Sequence, residues 1–476
     1  MGFIEWLRTK LNAPTQSNNE LYFALNSLLR MGQVEFYNKD PRTYIDKGYV
    51  TNPNVYSIIN KITRPASSVP FALYEIKEEK AFRKYKALME SGQRDEARVQ
   101  HSKALVLSEN KDRQKIFIQP NESQSWTEFC EGAIGFKLLT GNNFIYGLSP
   151  AGFEDRLFFT KIYNMPSQFV EIIIGTWDNP VKAYRLLMNI NVEFEANHVL
   201  HRKYWNPQFD ESTGIFPGTA FATFGQNREG GTNFYGLSPL APLCNVVKRS
   251  NDGYVASMKM LVNGIPAGIL SPENGGRPLN PNEKKKLDEA WKERFGGASN
   301  KNQVMKATVP LKWQALGMNS VDMQLEGIQQ NDLATIARVY NVPKEIAGGG
   351  DRSIFDSGEK FKLANKSLWT DAIIPELNDL QEGLNRFLVP GWEAMDGKKY
   401  YIDYDLSGVG ALQGNMKEMS DRIMREMEKG LWSPNEARIL LGNDADLTNA
   451  AMDQRFIGTN MRPLVDGSNT GTGTQK

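Results

Sequence analysis

The pattern that most constrains this chain is its longest helical one, "SGEKFKLANKSLWTDAIIPELNDLQEGLNRFLV", residues 357–389. Phe361, Ala364, Leu368, Ile373, Leu377, Leu380, Leu384 and Phe387 recur at helical spacing and trace an expected buried face. Pro375 lies inside it, where a missing backbone hydrogen bond predicts a kink. Immediately upstream, "NVPKEIAGGGDRS" (341–353) separates this helix from another helical stretch, "DMQLEGIQQNDLATIARVY", which carries Leu325, Ile328, Leu333, Ile336 and Tyr340. That earlier helix is expected to end at Val342, because a residue before proline is pushed out of the α region. Gly348, Gly349 and Gly350 follow, each losing maximal backbone entropy on ordering. Such a break reads as a phosphate cradle, a plain linker or a loop that must move.

The chain before this point changes texture once. In "NPNVYSIINKITRPASSVPFALYEI", Val55, Ile58, Ile59 and Ile62 mark a helix, Pro65 follows, and "FALYEI" alternates as a strand. Residues 77–104 are densely charged good helix formers and predict a solvated helical hairpin projecting from the body. "WTEFCEGAIGFKLLTGNNFIYGL" reads as a helix with Phe129, Ala133, Phe136 and Leu139 on one face, then a turn and a strand. Four strand-like stretches between 157 and 205, with Asp178-Asn179-Pro180 among their turns, predict an antiparallel sheet in an α+β body. The Gly-rich "FGQNREGGTNFYG" closes this half.

After "GLSPLAP", Leu243, Val247, Ser250, Tyr254, Met258 and Leu261 make 240–262 a helix, with Lys248, Arg249 and Lys259 among its polar positions. Residues 263–320 read as a small α/β module between two helices. It holds "NGIPAGIL", a helix started by Asn280-Pro281 and ended at Gly296-Gly297, and short strands in "VMKATVPLKWQALG". Beyond the long helix come a strand, "KYYIDYDL", and two helices. Ser433 caps the second, with Pro434 at its first position and Glu436 three residues after the cap. The end, "DGSNTGTGTQK", is a low-complexity tail.

Length and charge narrow the class. The 476 residues allow about three domains. Lys+Arg 56 against Asp+Glu 55 leaves a formal charge of +1, against a strongly basic nucleic-acid clamp. Cys130 and Cys244 cannot build a disulfide framework and read as buried thiols. No run approaches the ~18 apolar residues of a membrane span. Trp6 stands where a myristoylation motif after Gly2 needs Ser or Thr, and the start is too acidic and short for a signal peptide. The expectation is a soluble chain made in the cytoplasm.

Catalytic chemistry finds little support. His198 and His201, three apart on a strand, put their rings on opposite faces, and only His101 remains as a further imidazole for zinc. Asp403 and Asp405 share one strand face, as carboxylates of some metal nucleases do, or lie on an edge strand facing solvent. Ser238 lacks the pattern of a nucleophile elbow. "AGGGDRS" has no lysine after its glycines and follows a helix, so it does not match a P-loop. No catalytic, cofactor or metal site is expected.

The order of the parts carries a resemblance. An α+β body, "GLSPL", a helix, "NGIPAGIL", "LDEAWKERFGG", "IARVYNVPKEIAG", a long helix with "PELN", and finally "GLWSPNEARILLG" resemble the portal proteins of long-tailed bacteriophages over roughly residues 50–445. Residues 77–104 depart from that family as an insertion. The resemblance implies a portal fold of α+β class: an antiparallel-sheet and helix wing, two stem helices, an inserted small α/β clip, a long kinked helix and a helical C-terminal crown. In this chain the wing would span 1–239 with 358–412, and the stem helices 240–262 and 321–342. The clip would be 263–320, the tunnel loop 343–357, the crown 413–450 and the flexible tail 451–476.

The resemblance also implies a homo-oligomeric ring, dodecameric in the family, at one vertex of the capsid. Double-stranded DNA would enter and leave through its channel without sequence preference. The implied partners are the terminase packaging motor, the head–tail adaptor and the major capsid protein, with no membrane and no cofactor. The implied location is the virion, and the host cytoplasm during assembly. Lys344, Gly348, Gly349, Gly350 and Arg352 would form a DNA-facing loop, and Lys248, Arg249 and Lys259 the polar face of the stem. The near-neutral charge suits a conduit, since neutralising many phosphates would hold DNA tightly. Two other readings stay open: a metal-dependent DNA-processing enzyme using Asp403 and Asp405, and another ring-forming head–tail component.

Overall fold

A computed structural model describes residues 40–91, 94–153, 157–175, 179–188, 191–206, 234–263, 268–272, 311–315, 325–348, 358–412, 416–441 and 449–457, with 285, 289, 443, 445–446 and 462–463. All fall within one unit, Lys39–Lys476. A helical run over Pro41–Val50, π-wound from Tyr44, leads into α1 (Pro53–Ser67). Asn52 caps α1 by accepting from the amides of Asn54 and Val55. The helix continues through Pro65, two residues past the expected stop, because its last turn tolerates one missing donor.

The strand β1 (Phe71–Ile76) is followed by α2 (Glu79–Glu90), α3 (Arg94–Ala104) and β2 (Leu105–Leu107). Then come α4 (Trp126–Thr140), β3 (Asn142–Leu148), β4 (Lys161–Met165), β5 (Val170–Ile174), β6 (Val181–Leu186), β7 (Val192–Glu195) and β8 (Val199–Lys203). "VEFEANHVLHRKYW" is thus two strands, broken by a 3-10 turn at Ala196–His198. The strands form three antiparallel three-stranded sheets: β4-β3-β8, β5-β6-β7 and, with a strand from far downstream, β11-β1-β2.

Helix α4 starts with a full capping box, Ser125 with Glu128, and stops at Gly141, whose φ of 77° only glycine adopts freely. It is buried on more than the one expected face: Trp126, Cys130, Ile134 and Leu138 join Phe129, Ala133 and Leu139. The reason is that α1 covers one side and β3 another, while "GLSPL" itself closes over the end of the helix, Ser238 donating to the Leu139 carbonyl. Asn142 accepts from Gly236 N at 2.6 Å, and Gly141 O accepts from Tyr204 N at 3.0 Å.

Helix α5 (Cys244–Asn263), the antiparallel strands β9 (Gly268–Pro272) and β10 (Leu311–Ala315), and α6 (Leu325–Val339) follow. The helix expected after Asn280-Pro281 lies outside the described residues except for helical 285 and 289. A single helical turn, α7 (Lys344–Ala347), precedes the long helix, built as α8 (Gly358–Ser367), a π-wound segment (Leu368–Ile373) and α9 (Ile374–Asp396). Pro375 therefore sits in the first turn of α9, where its missing N–H falls just after the π segment. The helix passes a second proline, Pro390, and runs beyond the expected Val389 to a left-handed Gly397.

Its apolar face is buried from Ala364 to Leu388, with Trp392 fully enclosed, but Phe361 is 57% exposed, contrary to expectation. The strand β11 (Tyr400–Tyr404) pairs with β1, and the helices α10 (Met416–Glu428) and α11 (Pro434–Leu440) follow. Ser433 and Glu436 make the anticipated capping box. Residues 451–457, expected as tail, are tied to α11: Asp453 accepts from Asn435 at 2.7 Å, and Arg455 lies 3.5 Å from Glu436.

The charged pair α2–α3 is a hairpin, as expected, but it does not project. Ala81, Tyr85, Leu88, Ala97 and Ala104 are buried with Leu105 against Tyr74, Ile76 and Tyr401. Among its described side chains the charged ones stay exposed or half-buried, and small and aromatic residues at the inner positions supply a packing face.

Candidate functional site

The segment that the sequence singled out is held by a helix pair anchored at one end. Asn52 donates to Asn251 at 2.9 Å, and Asn251 donates to the carbonyl of Lys47 at 2.9 Å, fixing the first half of α5 to the body. Tyr340, the residue directly after α6, donates to the carbonyl of Leu138 at 3.0 Å, fixing that end of the helix to α4. Between the anchors α5 and α6 run antiparallel, with Arg249 paired to Asp332 and Gly253 beside Gln329. The Asp332 side chain is fully buried and Arg249 is about half-exposed. Lys248 pairs with Asp252 one turn on, at 3.1 Å.

Two of the three proposed stem cations are therefore engaged within the chain. The side chain of Lys259 lies outside the described residues. Asp332 was missed by the sequence reading, although Ile328, Asp332 and Ile336 stand four apart on one face and so place an acid among apolar neighbours. The apolar stripe is buried at its anchored end, at Leu243 just ahead of α5 and at Val247 and Ser250 within it, whereas Met258 further along is 61% exposed; Val255, beside the stripe, is 52% exposed.

The helix α6 ends three residues before the expected Val342. Asn341 adopts a left-handed φ of 55°, Val342 N donates to Ala337 O at 2.8 Å, and Asn341 N donates to Arg338 O at 3.2 Å. These two bonds satisfy the last carbonyls of the helix, and Pro343 comes after the stop rather than causing it. Lys344 is exposed on α7, which Gly348 terminates with φ 98° and open space where a Cβ would lie. Gly349, Gly350 and Arg352 lie outside the described residues.

Behind this segment lies a charged core. Lys137 on α4 contacts Glu376 at 3.1 Å and Asp379 at 2.8 Å, both on α9, and Arg202 on β8 contacts Asp379 at 2.7 Å. Tyr204 donates to Glu376. Burial pushes the Asp379 carboxyl up, but Arg202 and Lys137 outweigh it and hold the group below the usual carboxylate range. Burial and the neighbouring Glu376 raise the Tyr204 phenol well above its usual value.

The remaining candidate side chains are built into the fold. His198 closes the 3-10 turn beside Glu195 and Phe159, while His201 stacks on Phe144 and contacts Asn142 at 3.0 Å. Burial holds the His201 imidazole well below its usual pKa. Ser238 donates to the carbonyl of Leu139 and accepts from Leu240 N. Cys130 is fully buried, and burial pushes its thiol up.

Strand β11 is at a sheet edge, yet Asp403 does not face solvent. It is buried and accepts from Tyr85, Gln381 and Tyr404 N, because α2, α3 and α9 cover that edge. Asp405 lies past the strand and caps an exposed turn at Ser407. The two carboxylates do not form a common site. Among the described residues no cluster of three or more His, Cys, Asp or Glu is placed to hold a metal ion.

The mixed helix-and-sheet fold recurs in solved structures. A chain from the neck of an empty gene transfer agent particle, computed with C6 symmetry, is 18% identical, with a TM-score of 0.57 over 87% of this chain and 96% of that one. A chain from the neck of the native particle, computed with C12 symmetry, is 19% identical, with a TM-score of 0.55 over 86% and 95%. An uncharacterised protein of Rickettsia bellii is 21% identical over 87% of this chain and 92% of its own length. The family described as phage portal protein matches residues 53–442. The chain belongs to that family, the head–tail connectors of tailed phages.

Proposed function

We propose that this chain assembles into a dodecameric ring at one capsid vertex, the channel through which double-stranded DNA enters and leaves the head. In this reading 240–262 and 321–342, which include most of α5 and all of α6, are the stem and 263–320 the clip that docks the terminase motor and later the head–tail adaptor. Residues 343–357 are the tunnel loop, 413–450 the crown together with the attached 451–457, and the tail follows. The remaining sheets and the long helix make up the wing, which meets the major capsid protein. The assembled protein acts in the virion, after assembly in the host cytoplasm, and performs no catalysis itself.

The observation that carries the reading is the family match over 53–442. Two features are in keeping with a ring. Val255 and Met258 on α5, and Phe361 and Leu363 on α8, are exposed apolar side chains on helices, as expected where a neighbouring copy covers them. The turn α7 ends at Gly348 in the left-handed region, a conformation glycine adopts at no steric cost, with nothing within 4 Å of where a Cβ would lie.

Electron microscopy of the purified chain tests the reading: closed rings with a central hole are expected, and no ATP hydrolysis. A monomer by light scattering at micromolar concentration, or ATPase activity of the pure protein, would refute it.

A further inference from the structure

The hairpin α2–α3 occupies an unusual place. Strands β1 and β2 are adjacent and antiparallel, with Ile76 opposite Leu105, and Lys77 N donates to Ala104 O at 2.9 Å. The hydrogen bond makes Lys77 and Ala104 the pair on which a two-residue turn can close, so the sheet itself does not need residues 78–103. The hairpin instead contacts two things at once.

Its inner side meets the sheet and the long helix at one buried carboxylate. Asp403, 4% exposed, accepts from Tyr85 of α2 at 2.7 Å and from Gln381 of α9 at 2.6 Å, and lies 3.3 Å from His101 of α3. Tyr74 and Tyr85 flank the His101 ring edge-on. Its outer side meets the C-terminal helices. Val99 is buried in one cluster with Ile423 of α10 and Ala437 and Leu440 of α11. Lys103 donates to Glu436 at 2.8 Å, and Arg98 donates to the carbonyl of Leu440 at 3.4 Å. Among the described residues, α3 is the element of the body against which α11 packs most extensively.

We infer that the α2–α3 hairpin is a strap that sets the position of the α10–α11 pair relative to the β11-β1-β2 sheet. Without it the C-terminal helices are joined to the body through the chain after β11 and their remaining weak contacts, and they swing. With it, a displacement of α11 is passed through Val99 and Lys103 to Tyr85, His101 and Asp403, and so to the long helix. The inference concerns the packing of a single chain and does not depend on ring formation.

Hydrogen exchange on the full-length protein tests it. In a variant with 78–103 replaced by Asn-Gly, amides of 435–440 are expected to exchange at least about tenfold faster, while those of β3 and α4 keep their protection. Because that variant also strips Asp403 of two partners, a second one keeps the hairpin. Val99→Asp with Lys103→Glu should loosen 435–440 by a similar factor and leave 400–404 unchanged. Unchanged protection of 435–440 in the second variant would overturn the inference. So would joint loss of protection at 435–440 and 400–404, since the hairpin would then be part of one cooperative core and not a strap.

Discussion

Gly348 and Gly141 share a left-handed backbone but differ in what surrounds them. A Cβ at Gly348 meets nothing within 4 Å, so Gly348→Ala carries the conformational penalty alone, about 1 kcal/mol in urea unfolding. At Gly141 a Cβ would come within 2.6 Å of the Leu237 carbonyl carbon and 2.7 Å of Ser238 N. Strain and a backbone clash combine there, and Gly141→Ala is expected to cost about 3 kcal/mol or more in the same assay. Asp379 offers a pH test. Its folded pKa is depressed, so its contribution is present above the unfolded value near pH 4 and is lost as pH falls through the folded one. Asp379→Asn should lower stability at pH 7 by on the order of 1 kcal/mol, the half-exposed carboxylate being screened, and should flatten the acid limb of stability against pH. An unchanged acid limb would exclude this carboxylate as its source. At this scale the sequence is legible only in part: Val342 before Pro343 marks the expected stop, but the residue that ends α6 is Asn341, whose polar side chain tolerates the left-handed region and gives no periodic signal.

The helix pair α5–α6 behaves as one element because a buried acid joins its halves. Arg249→Ala strands the fully buried Asp332 carboxylate and is expected to cost about 2–3 kcal/mol, somewhat less than for a wholly buried partner. Asp332→Leu removes the buried charge and leaves a half-exposed arginine in water, so it should be close to neutral. Equal losses for both variants would contradict the assignment of the cost to desolvation. Most elements were legible in advance, for a common reason: "FALYEI", "FVEIIIG" and the Ser433 box each combine a period or cap with a short range of interaction. What was not legible depended on partners distant in sequence. Asp403 read as a solvent-facing edge residue because Tyr85 and Gln381, which bury it, come from other parts of the chain. The hairpin read as solvated because its alanines carry little hydrophobic signal, although they permit close packing. Pro375 read as an interior kink, since a π-wound segment ahead of it has no sequence signature.

The whole molecule exposes apolar surface that a solitary protein would do better to cover. Val255, Met258, Phe361 and Leu363 are each more than half-exposed, and two of them, Met258 and Phe361, belong to stripes whose periodicity foretold burial. The pattern was read correctly as apolar; which protein supplies the covering could not be read from one chain. Replacing Met258 and Phe361 together by Lys is therefore expected to leave unfolding of the monomer within about 0.5 kcal/mol while preventing rings in negative-stain images. Rings of normal appearance would place the subunit contact elsewhere. The exposed stripes also bear on how the stability of this protein is to be measured. If copies cover them, part of the free energy that holds each chain folded comes from mass action, and the midpoint of thermal unfolding rises with protein concentration. A melting temperature quoted for a dilute sample would then describe a different equilibrium from the one operating among copies crowded on a single vertex.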